Sequence, residues 1–272
     1  MTKIAFIGGG NMAMALIGGL LQKGYPRHEI SVVEVNPAAR ERVSGTLGVA
    51  VGERPGAGVA NANVVLLAVK PQQLRAVALD VRPLLSSQLV LSIAAGIRTA
   101  DLAGWLGDYP LVIRAMPNTP ALVLAGVAAL YAMPSVTEAQ RSTAESILGA
   151  VGSTIWVERE ELMDAVTAVS GSGPAYVFYF IEALDQAARE LGLSAAQARQ
   201  LSLDTFLDAA RLARGSSDQP AVLRARVTSK GGTTERAVRC MEDARVKEFV
   251  VEAIKQAAQR SRELGEELGA VR

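Results

Sequence analysis

The sequence predicts an α/β fold followed by an all-helical segment, and three observations carry that prediction. Short apolar runs alternate with helical patterns through residues 1–158. A glycine-rich turn separates the first apolar run from the first helical stretch. From residue 159 to 272 the strand-like runs stop, and Ala, Leu, Glu, Arg and Gln recur at helical spacing.

The apolar runs are Lys3 to Ile7, Ile30 to Val35, Val64 to Val69, Leu89 to Ala94 and Leu111 to Ala115. Each has the length and texture of a strand buried on both faces. Helical stretches such as Asn11 to Leu21 and Thr99 to Leu106 lie between them, so the runs read as βαβ units of a doubly wound, mostly parallel sheet. Further strands are expected at Val127 to Tyr131 and Thr154 to Val157.

The second part reads as helices over Leu162 to Leu191, Ala195 to Arg214, Thr233 to Val246 and Val246 to Leu268. Ser170-Gly171-Ser172-Gly173-Pro174 interrupts the first of these, where a proline inside a helix removes a hydrogen bond and bends the rod. Gly192 and Gly215 stand at helix stops. The stretch Leu162 to Leu191 carries Val166, Val169, Tyr176 to Ile181 and Leu184 on nearly every side. Such a helix needs cover on every side. A helical domain of this size offers little of its own, so interleaving with a second copy is expected.

Composition narrows the class. Lys plus Arg is 28 against 27 for Asp plus Glu, which leaves no basic excess for nucleic acid or an anionic membrane. One cysteine, Cys240, cannot close an internal disulfide and fits a reducing, cytoplasmic setting. With His28 as the only histidine, no structural zinc site and no Ser-His-Asp triad is expected. No apolar run is long enough to span a bilayer, and the N-terminus reads as a strand entering a turn rather than a signal peptide.

The turn Gly8-Gly9-Gly10-Asn11-Met12-Ala13 is the first candidate site. Gly8 permits a tight turn, Gly10 lets the backbone approach a pyrophosphate, and Ala13 allows close packing of helix on strand. The amides of Asn11 and Met12 open the helix. Between a strand and a helix, this is the fingerprint of a Rossmann-like dinucleotide site. Glu34 ends the second strand, where a carboxylate bonds the ribose hydroxyls of NAD and repels the 2′-phosphate of NADP. Asn36, Arg40 and Arg42 follow closely and are able to receive that phosphate, so these residues leave the cofactor's second phosphate undecided.

The second candidate is Ser229-Lys230-Gly231-Gly232-Thr233-Thr234, directly before a helix. Small residues leave amides open beside hydroxyls at a helix N-terminus. The pattern suits either a carboxylate-binding nest or an ordinary helix start.

Six ordered stretches resemble pyrroline-5-carboxylate reductase over essentially the whole length. They are Phe6 to Met12, Ala68 to Pro71, Ser92 to Gly96, Arg114 to Pro120, Asp164 to Tyr176 and Val227 to Thr234. The resemblance implies reduction of the ring C=N of 1-pyrroline-5-carboxylate to L-proline, the last step of proline synthesis. It implies NADP(H) as the favoured cofactor, with NAD(H) possible. By the same resemblance, Ala68, Val69, Lys70 and Pro71, together with Ala94, Ala95 and Gly96, line the cofactor, and Asn118 lies near the nicotinamide. Ser229, Gly232, Thr233 and Thr234 hold the substrate carboxylate, Thr234 sits nearest the imine nitrogen as the catalytic residue, and Glu160 lies near the substrate. No metal is implied. The partner implied is a second copy, giving a homodimer through an all-α dimerisation domain, with larger rings of dimers in some relatives.

Three positions depart from that resemblance. Lys230 stands where a proline is common, an asparagine is missing around Arg54-Pro55, and Glu34 is unusual in an enzyme that prefers NADPH. Two rivals are weaker. A β-hydroxyacid dehydrogenase needs a Lys backed by an Asn on the helical domain, yet there is no Lys between Lys70 and Lys230 and no Asn after Asn118. A nucleotide-sensing module leaves the Gly231–Thr234 stretch without a purpose.

Overall fold

The computed structural model describes residues 1–270. The chain forms two compact units: Met1–Ser172 together with the chain from Gln256 onward, and Gly173–Lys255. The change of texture at 158/159 precedes that division. Between the two points lie a one-turn helix and a widened turn that stay packed on the sheet unit.

The first unit runs β1 (Ile4–Ile7), α1 (Asn11–Gln22), β2 (Ile30–Val33), α2 (Pro37–Leu47), β3 (Ala50–Gly52), α3 (Ala57–Ala60), β4 (Val64–Leu67), α4 (Pro71–Val81), β5 (Leu89–Ser92), α5 (Thr99–Trp105), β6 (Val112–Pro117), β7 (Gly126–Ala132), α6 (Glu138–Leu148), β8 (Gly152–Trp156) and α7 (Leu162–Val166). One sheet holds the strands in the order β3-β2-β1-β4-β5-β6-β7-β8. It is parallel through β6. β7 then turns back antiparallel to β6 and pairs in parallel with β8.

Alternation along each strand feeds two cores. Ile4, Phe6, Val64 and Leu66 face one side and pack with Leu16, Ile17 and Leu20 of α1 and Ile147 of α6. Ala5, Ile7, Val65 and Leu67 face the other and pack with Leu74, Ala78 and Val81 of α4 and Leu102 of α5. Each fully buried side chain of this size contributes about 1.5–3 kcal/mol. The predicted strands at residues 30–35, 64–69 and 89–94 each outrun the ladder by two residues. Those extra residues belong to the loops that leave the sheet, and some stay buried, as Ala94 does at 3% exposure.

Two elements escape the apolar pattern. β3 is a three-residue strand at one end of the sheet order with no fully buried side chain. The second unit contains α8 (Gly173–Glu190), α9 (Ala195–Arg214), α10 (Pro220–Arg226), α11 (Thr233–Asp243) and the start of α12 (Val246–Gly269). Of these, α10 is not predicted by the sequence pattern; it is seven residues long and begins on Pro220.

Pro174 does not bend a helix interior. It is the second residue of α8, where its missing N–H costs nothing. The interruption before it is a π turn over Thr167–Gly171, closed by Ser172 N–H on the Thr167 carbonyl at 2.8 Å. The wider turn seats Gly171 against Met116, since a Cβ on Gly171 would stand 2.5 Å from Met116 Cε.

Within the second unit only Ala198 and Ser202 are buried among the described residues. Phe178 is 59% exposed, Tyr179 69% and Phe249 71%. A helical unit with so many exposed aromatic and aliphatic side chains does not supply its own core. Among the described residues no helix is long and apolar enough to cross a membrane.

Candidate active site

β1 is flanked by β2 on one side and β4 on the other, so the loops after β1 and β4 leave the sheet in opposite senses. That is the switch point at which open α/β sheets bind ligands. The turn Gly8–Gly10 sits there. Gly8 has φ +102°, and its N–H donates to the Val33 carbonyl at 2.7 Å. Gly10 caps α1 with extended backbone, and a Cβ on it would meet nothing within 4 Å. Nothing in the fold requires a glycine at that point, and the space in front of it is open. Asn11 and Met12 open α1 with no side-chain cap on their amides. The cradle therefore suits a dinucleotide phosphate.

Gly9 does not stand out in the sequence, yet it too is crowded. A Cβ there would lie 2.8 Å from Val43 Cγ2 and 3.3 Å from Glu34 Oε2. Its N–H donates to Glu34 Oε2 at 2.8 Å, and the Asn36 N–H donates to Glu34 Oε1 at 2.9 Å. Glu34 is thus held against the turn rather than released to solvent. Asn36 spends its side-chain oxygen on the Ala39 amide as the cap of α2.

The other residues expected to line a nucleotide lie at the carboxyl ends of neighbouring parallel strands. Ala68 and Val69 follow β4, exposed Lys70 caps α4, and Pro71 is that helix's first residue. Ala94, Ala95 and Gly96 follow β5, with Ala95 exposed and Gly96 at φ +79°. Asn118 follows β6 at 9% exposure. Its Oδ1 accepts the Val127 N–H at 2.9 Å and its Nδ2 donates to the Ser170 carbonyl at 3.3 Å. Asn118 therefore ties the end of β6 to the π turn.

Glu160 is fixed by three groups. Oε1 accepts the Thr99 N–H at 2.7 Å and faces Arg114 Nη1 at 3.1 Å, and Oε2 accepts the Thr99 hydroxyl at 2.6 Å. Arg114, on β6, is only 5% exposed. The triad locks the start of α5, directly behind the Ala94–Gly96 loop. Neither Thr99 nor Arg114 was legible as a partner, because pairing across 61 and 46 residues leaves no local pattern. Asp101 stands close by. Burial foremost pushes its carboxyl above the usual range, Arg98 opposes that, and Glu160 adds to it.

The loop Ser229–Thr234 belongs to the second unit. Gly231 has φ +75°, and its N–H donates to Glu235 Oε2 at 2.7 Å. The Gly232 N–H turns to the Ser229 carbonyl at 3.0 Å, and a Cβ on Gly232 would lie 2.6 Å from Ser229 Oγ. Gly232 therefore serves by leaving space. Thr233 and Thr234 open α11, and among the described residues neither their amides nor their hydroxyls have a partner. Two open amides and two free hydroxyls at a helix N-terminus can receive a carboxylate. Among the described residues no cluster of side chains could hold a metal ion.

The family model described as pyrroline-5-carboxylate reductase dimerisation matches residues 160–264, and one described as NADP oxidoreductase coenzyme F420-dependent matches residues 3–96. The pyrroline-5-carboxylate reductase of Pseudomonas aeruginosa is 46% identical, with 98% of each chain covered. A solved pyrroline-5-carboxylate reductase from Coxiella burnetii superposes with a TM-score of 0.92 at 41% identity, covering 97% of this chain and 98% of that one. The Plasmodium falciparum pyrroline carboxylate reductase, solved with NADP bound, gives 0.86 at 26% identity over 97% and 98%. Fold, ordered motifs and full-length identity agree: the chain belongs to the pyrroline-5-carboxylate reductase family.

Proposed function

We propose that this oxidoreductase reduces the ring C=N of 1-pyrroline-5-carboxylate to L-proline, as the last step of proline biosynthesis. The observation that carries the reading is the pair of open amides and hydroxyls at Thr233 and Thr234, in a chain that also carries a dinucleotide turn. Such a nest can receive a carboxylate, the anion that an amino-acid-like substrate carries.

When bound, a reduced nicotinamide would supply the hydride for the ring carbon, with the ring nitrogen gaining a proton. The turn Gly8–Met12 and the loops 68–71 and 94–96 would hold the dinucleotide, with Asn118 near the nicotinamide. Ser229, Thr233 and Thr234 hold the substrate carboxylate, with Gly232 giving it room. Thr234 lies nearest the imine nitrogen, orients it and passes the proton from solvent. Glu160 lies near the substrate, its carboxylate held by Thr99 and Arg114. An iminium is already an activated electrophile, so positioning contributes more than a strong acid would.

The resemblance favours NADP(H), with NAD(H) possible, and the residues around Glu34 bear on that choice. The exposed faces of α8 and α9 pack on a second copy as a homodimer, with rings of dimers as the larger assembly. No nucleic acid or membrane takes part, and the enzyme works in the cytoplasm. The test is oxidation of NADPH or NADH by the purified chain with and without pyrroline-5-carboxylate, with proline quantified. Imine-dependent oxidation with matching proline supports the reading. Folded protein that binds nucleotide and oxidises neither cofactor contradicts it.

A further inference from the structure

We propose that Glu34 makes this chain select NADH over NADPH, against the preference that its family resemblance implies. The inference rests on the dinucleotide site described above, and not on which imine is reduced.

Glu34 directly follows β2, the position from which a dinucleotide fold reads the adenosine ribose. Its carboxylate is pinned. Oε2 takes the Gly9 N–H at 2.8 Å and Oε1 takes the Asn36 N–H at 2.9 Å. Each oxygen keeps a lone pair, so the group can still accept the 2′- and 3′-hydroxyls of a ribose laid over the turn. A 2′-phosphate brings negative charge and no comparable donor. It would have to displace the carboxylate from two amides or face it directly.

Two of the basic residues nearby already have partners. Arg40 Nη1 donates to the Glu34 carbonyl at 3.0 Å and the Val35 carbonyl at 2.8 Å, and Arg40 Nη2 lies 4.0 Å from Glu53. Arg42 reaches back to the Gly9 carbonyl at 3.4 Å. Asn36 uses its side-chain oxygen on Ala39. Arg40 therefore buttresses the backbone that carries Glu34 instead of pointing outward to a phosphate. Selection of this kind works as much by repelling the wrong ligand as by holding the right one.

The test is calorimetric titration of the wild-type chain, Glu34→Gln and Glu34→Ser with NAD⁺ and with NADP⁺, in the absence of substrate. Circular dichroism and a melting curve establish that each variant is folded. Wild type should bind NAD⁺ at least about tenfold more tightly than NADP⁺, a ratio that a single well-placed charge supports. Glu34→Ser should bring the ratio to near unity or reverse it, with Glu34→Gln between. Steady-state KM values for NADH and NADPH should move in parallel. Wild type that binds NADP⁺ as tightly as NAD⁺ or more so, or a ratio unmoved in folded variants, overturns the proposal and leaves the reductase reading intact. Failure of both nucleotides to bind folded wild type would remove the dinucleotide site and this proposal together.

Discussion

Gly8 lies so close to Ala68 that a side chain between them is impossible: a Cβ built on Gly8 would stand 2.6 Å from the Ala68 carbonyl oxygen, with the backbone at φ +102°. The contact joins the turn after β1 to the loop after β4, across the switch point of the sheet. Gly10, two residues on, faces open space. The two glycines serve different purposes, although a glycine-rich motif presents them as equals.

Two alanine variants separate those purposes. Gly8→Ala should lose at least about 2–3 kcal/mol of stability through strain and clash, seen as a lower urea midpoint. Gly10→Ala should keep the wild-type midpoint and weaken nucleotide binding several fold. A Gly10→Ala chain that binds nucleotide normally would remove the pyrophosphate from that position.

Arg114 and Glu160 form a largely buried pair whose two members depend on each other. Arg114→Met strands the Glu160 carboxylate and should cost about 3 kcal/mol in chemical denaturation. Adding Glu160→Gln should return part of that loss. Because Glu160 also anchors Thr99, the single variant should raise KM for nucleotide more than it lowers kcat. A double variant no more stable than the single one would contradict the coupling.

Asp101 gives the pH test. Its folded pKa is raised above the unfolded value, mainly by burial. The native state therefore holds that proton more tightly. The stabilisation is fully present below the unfolded pKa and is lost as pH rises through the folded one. Asp101→Asn carries no titrating group, so its stability relative to wild type should increase as pH rises from about 3 to about 6. A difference that stays flat or falls over that window would contradict the assignment.

Thr234 is tested by size and chemistry together. Thr234→Ala should lower kcat with pyrroline-5-carboxylate by several fold or more, and Thr234→Ser should recover most of the rate because it keeps the hydroxyl. An Ala variant with an unchanged kcat would leave the proton to water alone.

Much of this was legible along the chain because strand and helix periods are local. The strands of the parallel sheet and the long helices α8, α9, α11 and α12 appear as patterns within a few residues. What escaped was set by distance or by brevity. β3 and α10 are three and seven residues long, too short for a period to show. The family resemblance points to Glu160, but its partners Thr99 and Arg114 lie far along the sequence. Gly9 looked like one glycine among three until Glu34 and Val43 were seen against it. Pro174 showed that a break was needed, while the π turn ahead of it depends on Met116 from β6.

The most direct measurement is single-turnover conversion with nicotinamide deuterated on its transferable position, followed by mass analysis of the proline formed from pyrroline-5-carboxylate. Hydride transfer to the ring imine predicts one deuterium per proline, at the ring carbon next to nitrogen, with one cofactor oxidised for each. Proline without deuterium, or cofactor oxidised with no proline formed, would contradict the account.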